Sequence, residues 1–323
     1  MLMRCGAWLL SFALFAGAPA HASPIAQEQL LLAAPGVSAT PMRIRVHLPP
    51  DYAATQARYD VLYVNDGQDM EAVGLVGTLE RLYARYAIAR IIVVAIDMPP
   101  DRMAGYGLFD GATGEPIAVP TRHGLVGANA HAYARWLVQD LLPAIDARYR
   151  TRAHADGRAI LGWSLGALSA FGIGWQHPES FGRIGAFSPS FWLSSDGRDA
   201  DTVQATRIAH ALVATGTPMQ RPQVFFGVGT REEADDRDGD GIIDVIDDTR
   251  DLIAGWRAPD GSLHKGLRGT AGDPGPCAAG VPAHRDAKLF LLEGGGHDQQ
   301  AWARMLPVFL QWAYGRAGIP SRD

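Results

Sequence analysis

A chain of 323 residues with 47% hydrophobic and 20% charged residues has room for a large buried core, which argues against a disordered protein. Its formal net charge is −5 and no long Lys/Arg cluster occurs, which argues against a nucleic-acid partner and a basic membrane-binding face. The 37 glycines and 21 prolines suit a fold with many connections between its elements.

In chain order, residues 1–22 read as an export address. Arg4 supplies the positive charge, Ala7 to Gly17 form a short apolar run, and Ala20-His21-Ala22 offers small residues for signal-peptide cleavage after Ala22. The apolar run falls short of the roughly 20 residues a bilayer span needs. The expectation is a periplasmic or secreted mature chain, 23–323, with no membrane span after cleavage. Cys5 leaves with the signal peptide, so Cys277 is alone in the mature chain and no intrachain disulfide can form.

Beyond that point, short apolar runs alternate with helical patterns, predicting one α/β domain built on a mostly parallel sheet with helices on both faces. Strands are expected at MRIRVHLPP from Met42, stopping at its proline pair, DVLYVND from Asp60, ARIIVVAID from Ala89, RAIL from Arg158, RIGAFSPSFW from Arg183, ending in an aromatic loop, QVFFGVGT from Gln223 and KLFLLEGGGH from Lys288. Helices are expected from Leu75, from Ala132, after Ser164 and from Gln299, and a Gly/Pro-rich loop from Met98 to about Gly127. No internal repeat or long linker divides the chain.

Gly162-Trp163-Ser164-Leu165-Gly166 fits G-x-S-x-G between a strand-like and a helix-like segment. A serine there sits at a tight strand-to-helix turn, and glycines on either side allow close approach of the two elements. The turn lifts the hydroxyl to the sheet edge and aims the first helical N–H groups at a developing oxyanion. A lone hydroxyl is a weak nucleophile and needs a base oriented by an acid. Of the ten histidines, His297 alone follows a last apolar strand, on a triple-glycine loop before the C-terminal helix. An acid is expected just past QVFFGVG, where Glu232, Glu233, Asp235 and Asp236 all follow; Glu232 is nearest the strand end.

Together, VLYVNDGQDM, RIIVVAIDMPPDR, LVQDLLPAIDARYR, the segment around Ser164, FFGVGTREE and LEGGGHDQQAWARMLPVFL resemble an esterase family of α/β-hydrolases. That family includes enterobactin (siderophore) esterases, feruloyl and acetylxylan esterases and mycolyltransferases. The resemblance implies the α/β-hydrolase fold, Ser164 as nucleophile, His297 as base and Glu232 as acid. It also implies an oxyanion hole made by the backbone N–H groups of Leu165 and Gln68, the latter in the Asp66-Gly67-Gln68 turn. The implied reaction is hydrolysis of a small-molecule or glycan-linked ester through an acyl-enzyme, with no organic cofactor. Acyl transfer on the same residues, or a non-catalytic, calcium-stabilised binding protein of this fold, are the alternative readings. Trp163 and Trp192 are candidates to line a substrate pocket.

After Glu233 the chain departs from the family's pattern. The stretch from Asp236 reads D-R-D-G-D-G-I-I-D-V-I-D, within an apparent insertion at 235–248. Alternating aspartates with Gly sixth and Ile eighth suit a Ca²⁺ loop, because the hard cation wants six or more oxygens and the glycine permits the bend. The expected ligands are Asp236, Asp238, Asp240, Asp244 and Asp247, the last standing where a bidentate Glu is usual. Ten carboxylates between Glu232 and Asp251 should repel one another without a cation.

Overall fold

The computed structural model describes residues 24–216, 220–258, 260–267, 269–270 and 287–316. The export address and Cys277 lie outside these residues. Eight strands form the central sheet: β1 (Ala26–Leu32), β2 (Met42–Leu48), β3 (Asp60–Val64), β4 (Ile91–Ile96), β5 (Arg158–Trp163), β6 (Arg183–Phe187), β7 (Gln223–Gly229) and β8 (Ala287–Leu292). Their spatial order is β1-β2-β4-β3-β5-β6-β7-β8. β2 runs antiparallel to both β1 and β4, and every other neighbouring pair is parallel.

The inner parallel strands are apolar past their first residues, where Asp60, Arg158, Arg183 and Gln223 stand, because both faces are covered. Alternate residues feed two separate cores, as the two-residue period of a strand requires. Val61, Tyr63, Ile92, Val94 and Ile160 enter one core. Leu62, Val64, Val93, Ala95 and Leu161 enter the other. The second face is closed by helices α1 (Leu75–Ala84), through Leu75, Leu79 and Leu82, and the C-terminal helix Gln299–Tyr314, through Trp302, Met305, Leu306 and Phe309. The first face carries α2 (Ala130–Trp136), α3 (Leu142–Arg148), α4 (Leu165–Gln176) and α6 (Ile208–Thr215), the last preceded by a short helix, α5 (Ala200–Thr206), that has no buried residue.

Three findings differ from the sequence reading. β1 was absent from it because AQEQLLL is an edge strand, largely exposed and without clean alternation. The long helix expected from Ala132 is broken by a π-helical turn at Leu137–Leu141, just before Pro143. Proline has no N–H to give the preceding turn, and the wider turn absorbs that loss. The 98–127 loop holds one helical turn, Arg102–Gly105, and two short ribbons, Leu108–Phe109 with Pro116–Ile117 and Val119–Thr121 with Gly124–Val126. Helices α7 (Asp244–Ala254) and α8 (Gln299–Tyr314) complete the set used below. No helix among the described residues is long and apolar enough to cross a membrane.

Candidate active site

The C-terminal ends of β3, β5, β6, β7 and β8 lie along one edge of the sheet, the usual place for a site in a parallel α/β fold. Ser164 is the single residue between β5 and α4, with φ 56° and ψ −126°. A side chain rarely tolerates that conformation, so the surrounding contacts must hold it. A Cβ on Gly162 would lie 2.1 Å from the Gly166 carbonyl oxygen, and one on Gly166 would lie 2.7 Å from the Asp66 carboxylate. Both glycines of the motif are therefore required by contact as well as by the turn. The Ser164 N–H donates to the Phe187 carbonyl at 3.0 Å. Its Oγ has one hydrogen-bond neighbour among the described residues, Ser190 Oγ at 3.5 Å.

Glu232 and His297 come together although 65 residues separate them: Nδ1 of His297 lies 3.0 Å from Oε2 of Glu232. The Glu232 side chain is 1% exposed, while the His297 side chain is 40% exposed and open to a substrate. Backbone bonds stitch their two loops together. The Thr230 N–H donates to Leu292 O at 3.1 Å, and the Arg231 N–H to Gly295 O at 2.9 Å. Gly229 and Gly295 touch backbone to backbone, since a Cβ on Gly229 would fall 2.3 Å from Gly295 O. This contact explains why the loop before His297 needs small residues. No hydrogen bond joins Ser164 to His297 among the described residues.

The turn after β3 packs on the start of α4. Buried Asn65 donates from Nδ2 to the Gly166 carbonyl at 2.8 Å and accepts from Tyr133 Oη at 2.6 Å. Asp66 follows at φ 56°. Its N–H donates to Tyr106 Oη at 3.0 Å, and its carboxylate takes both Nε and Nη2 of Arg102, at 2.9 and 2.7 Å. Burial raises the Asp66 carboxyl above its ordinary range, with the Arg102 guanidinium opposing that rise. The Gln68 amide side chain bonds Asp66 Oδ1 and the Met98 N–H, leaving its own backbone N–H free of these ties. Neither that N–H nor the Leu165 N–H, at the first position of α4, has an acceptor among the described residues.

The two tryptophans part company. Trp163 is 2% exposed, which corrects its placement as a pocket wall: it stacks on Trp302 at 5.3 Å and donates Nε1 to Asp69 Oδ2 at 3.0 Å. Its position in the strand turns it into the second core, not toward the hydroxyl. Trp192 is 39% exposed on the loop after β6 and has surface to offer a ligand. Trp302, which the sequence reading passed over, touches the His297 ring edge-to-face at 5.6 Å. It lies on the first turns of α8, one helical turn past the N-cap Asp298.

In the acidic segment, carboxylate oxygens of Asp236, Asp238 and Asp240 lie within 4.8 Å of one another. Gly239 and Gly241 take φ of +73° and +90° and donate their N–H groups to Asp236. The other two expected ligands stand apart from this trio. Residues 244–248 form the first turns of α7 rather than loop, and Asp244 is held by Arg237, through its N–H at 2.7 Å and its guanidinium at 3.2 Å. Asp247 faces Arg250 at 3.6 Å. Asp238, Asp240, Asp244 and Asp247 nevertheless line one polar cavity of about 240 Å³. Burial, then the charges of Asp240 and Asp238, raises the Asp247 carboxyl to about 6. Two arginines anchor the segment from inside: Arg207, fully buried, pairs with Asp248 and Asp251, and Arg237 pairs with Asp248. Glu233, beside Glu232, accepts the Val245 N–H at the start of α7 at 2.7 Å.

The family model described as “Putative esterase” matches residues 37–264. Among solved structures, the siderophore hydrolase EstB from Aspergillus nidulans superposes with a TM-score of 0.61 at 19% identity, covering 94% of this chain and 100% of that one. The enterobactin esterase FES from Shigella flexneri gives 0.61 at 18% identity, covering 90% of this chain and 60% of the other. A ferulic acid esterase from Anaeromyces mucronatus gives 0.55 at 16% identity, covering 89% and 90%. At these identities the likeness is one of fold. With the family match spanning well over half of its 323 residues, the chain belongs to this esterase family and has the α/β-hydrolase fold.

Proposed function

We propose that the protein is a serine carboxylic-ester hydrolase acting through an acyl-enzyme. The observation that supports this best is the Glu232–His297 hydrogen bond, on the same sheet edge as a serine held at φ 56°. With its Nδ1 proton given to the Glu232 carboxylate, the imidazole presents Nε2 as the proton acceptor. Nε2 then takes the Ser164 proton as Oγ attacks the ester carbonyl. The free N–H groups of Leu165 and Gln68 receive the oxyanion, His297 protonates the leaving alcohol, and water releases the acid. The relatives named above act on siderophore and ferulate esters, so the substrate class is a small-molecule or glycan-linked ester. A fluorophosphonate that labels Ser164 stoichiometrically, with turnover of p-nitrophenyl and feruloyl esters, supports the reading. An unlabelled Ser164 in folded protein rejects it.

Export of a chain beginning at Ser23 would place it in the periplasm or outside the cell, and the intact mass of the exported protein checks this. There Ca²⁺ would meet the Asp236, Asp238 and Asp240 carboxylates, with Asp244 and Asp247 in reach across the shared cavity. The cation would offset their mutual repulsion and hold the start of α7, to which Glu233 is bonded. Melting temperature should rise with free calcium, by about 2.7 kcal/mol of stability at a hundredfold excess over Kd. Magnesium should substitute poorly and Asp240→Ala should abolish the rise. Melts of EDTA-treated protein with no calcium response would leave an acidic loop without metal.

A further inference from the structure

We propose that Ser188 is a positioning residue for Glu232, fixing which oxygen of the carboxylate faces His297. The inference rests on the serine-hydrolase reading above and concerns a residue outside the Ser164, His297 and Glu232 set. Ser188 follows β6, is fully buried and has φ 46°. Such a conformation persists in a residue with a side chain only where its surroundings over-determine it. Here its N–H donates to Gly227 O at 2.7 Å, one residue past Phe187, whose carbonyl fixes the Ser164 backbone. The strained segment thus connects the nucleophile to the acid.

The direction of the Ser188 hydroxyl proton follows from its neighbours. Trp302 Nε1 lies 2.9 Å from Ser188 Oγ, and an indole nitrogen can only donate. Oγ is therefore the acceptor in that bond, and its own proton is left for Glu232 Oε1 at 2.8 Å. The Gly229 N–H also donates to Oε1. With two donors on Oε1, the carboxylate cannot rotate without breaking both bonds, and Oε2 alone is turned to His297. Trp302 completes the arrangement, because its ring edge-packs the imidazole while its N–H orients the hydroxyl. Without the hydroxyl, Glu232 keeps one donor on Oε1, and the imidazole loses a fixed partner.

Ser188→Gly is the informative variant, since glycine adopts this backbone readily and removes the hydroxyl with its CH₂, whereas Ser188→Ala removes the hydroxyl alone. Ser188→Ala is the second variant should the first fold poorly. A hydrogen bond to a charged group is worth about 1.5–3 kcal/mol, so kcat should fall by roughly tenfold to a hundredfold. KM should stay unchanged, because Ser188 is fully buried. The downfield proton resonance of His297 Nδ1, identified by its loss in His297→Ala, should shift or broaden in the variant. Wild-type kcat in folded Ser188→Gly and Ser188→Ala overturns the proposal. So does a loss carried equally by KM with the resonance unmoved, which would mean general distortion. Glu232→Gln run in parallel separates the two levels. If Glu232→Gln is itself fully active, the underlying reading fails; if it is inactive while both Ser188 variants are active, only the role of Ser188 fails.

Discussion

Ser164→Ala is expected to abolish ester cleavage while leaving the melting temperature essentially unchanged. The side chain it removes makes one weak contact, to Ser190 Oγ at 3.5 Å, so little stability is at stake. The strained backbone at φ 56° is no worse for alanine than for serine, both having one Cβ. In the proposed mechanism the chemistry loses its nucleophile altogether. Removing that group from a working set costs on the order of 10⁶ in kcat, the residue of rate coming from the oxyanion donors and binding. The check is kcat on a p-nitrophenyl ester alongside a thermal melt. Turnover above a few per cent of wild type, in folded protein, would mean that another group attacks the ester.

The places of Ser164 and His297 in the fold were legible in the sequence because the chain's pattern marks them: one between an apolar strand and a helix, the other between the last strand and the last helix. Patterns of that kind depend on local spacing alone. The pairing of Glu232 with His297 is not local, and four carboxylates followed the strand. What separates them is the tight backbone contact of Gly229 with Gly295, which carries the Glu232 turn to the histidine loop. A glycine in each of two distant segments gives no hint that the two will touch. Ser188 and Trp302 were missed for the same reason, since their bond spans 114 residues. Trp163 was misplaced because adjacency to Ser164 in sequence says nothing about direction: strand neighbours point to opposite faces. The sheet was readable where strands are buried on both sides. Of its two edge strands, Ala287–Leu292 was readable through the apolar run KLFLL, while Ala26–Leu32 was not, because its exposed first half, AQEQ, carries no apolar signal.

Glu232→Gln should lower kcat by about 10⁴, less than loss of the serine, with the fold intact. The size follows from the hydrogen bonds around the side chain. The Ser188 hydroxyl and the Gly229 N–H both donate to Oε1, so the glutamine must place its carbonyl oxygen there. Its NH₂ is then forced toward His297 Nδ1. Nδ1 must accept, and the ring's proton moves to Nε2. In that tautomer Nε2 has no lone pair for the Ser164 proton, and the stabilising charge beside the imidazolium is gone as well. Asp235→Asn, three residues on, should be mild. Asp235 is exposed, and its tie to the structure is its backbone carbonyl, which accepts the Asp244 N–H at 2.9 Å and survives the substitution. Single-turnover and steady-state rates for both variants, with melts to verify folding, decide the matter. A near-normal Glu232→Gln beside a crippled Asp235→Asn would move the acid into the insertion and detach the observed Glu232–His297 bond from catalysis.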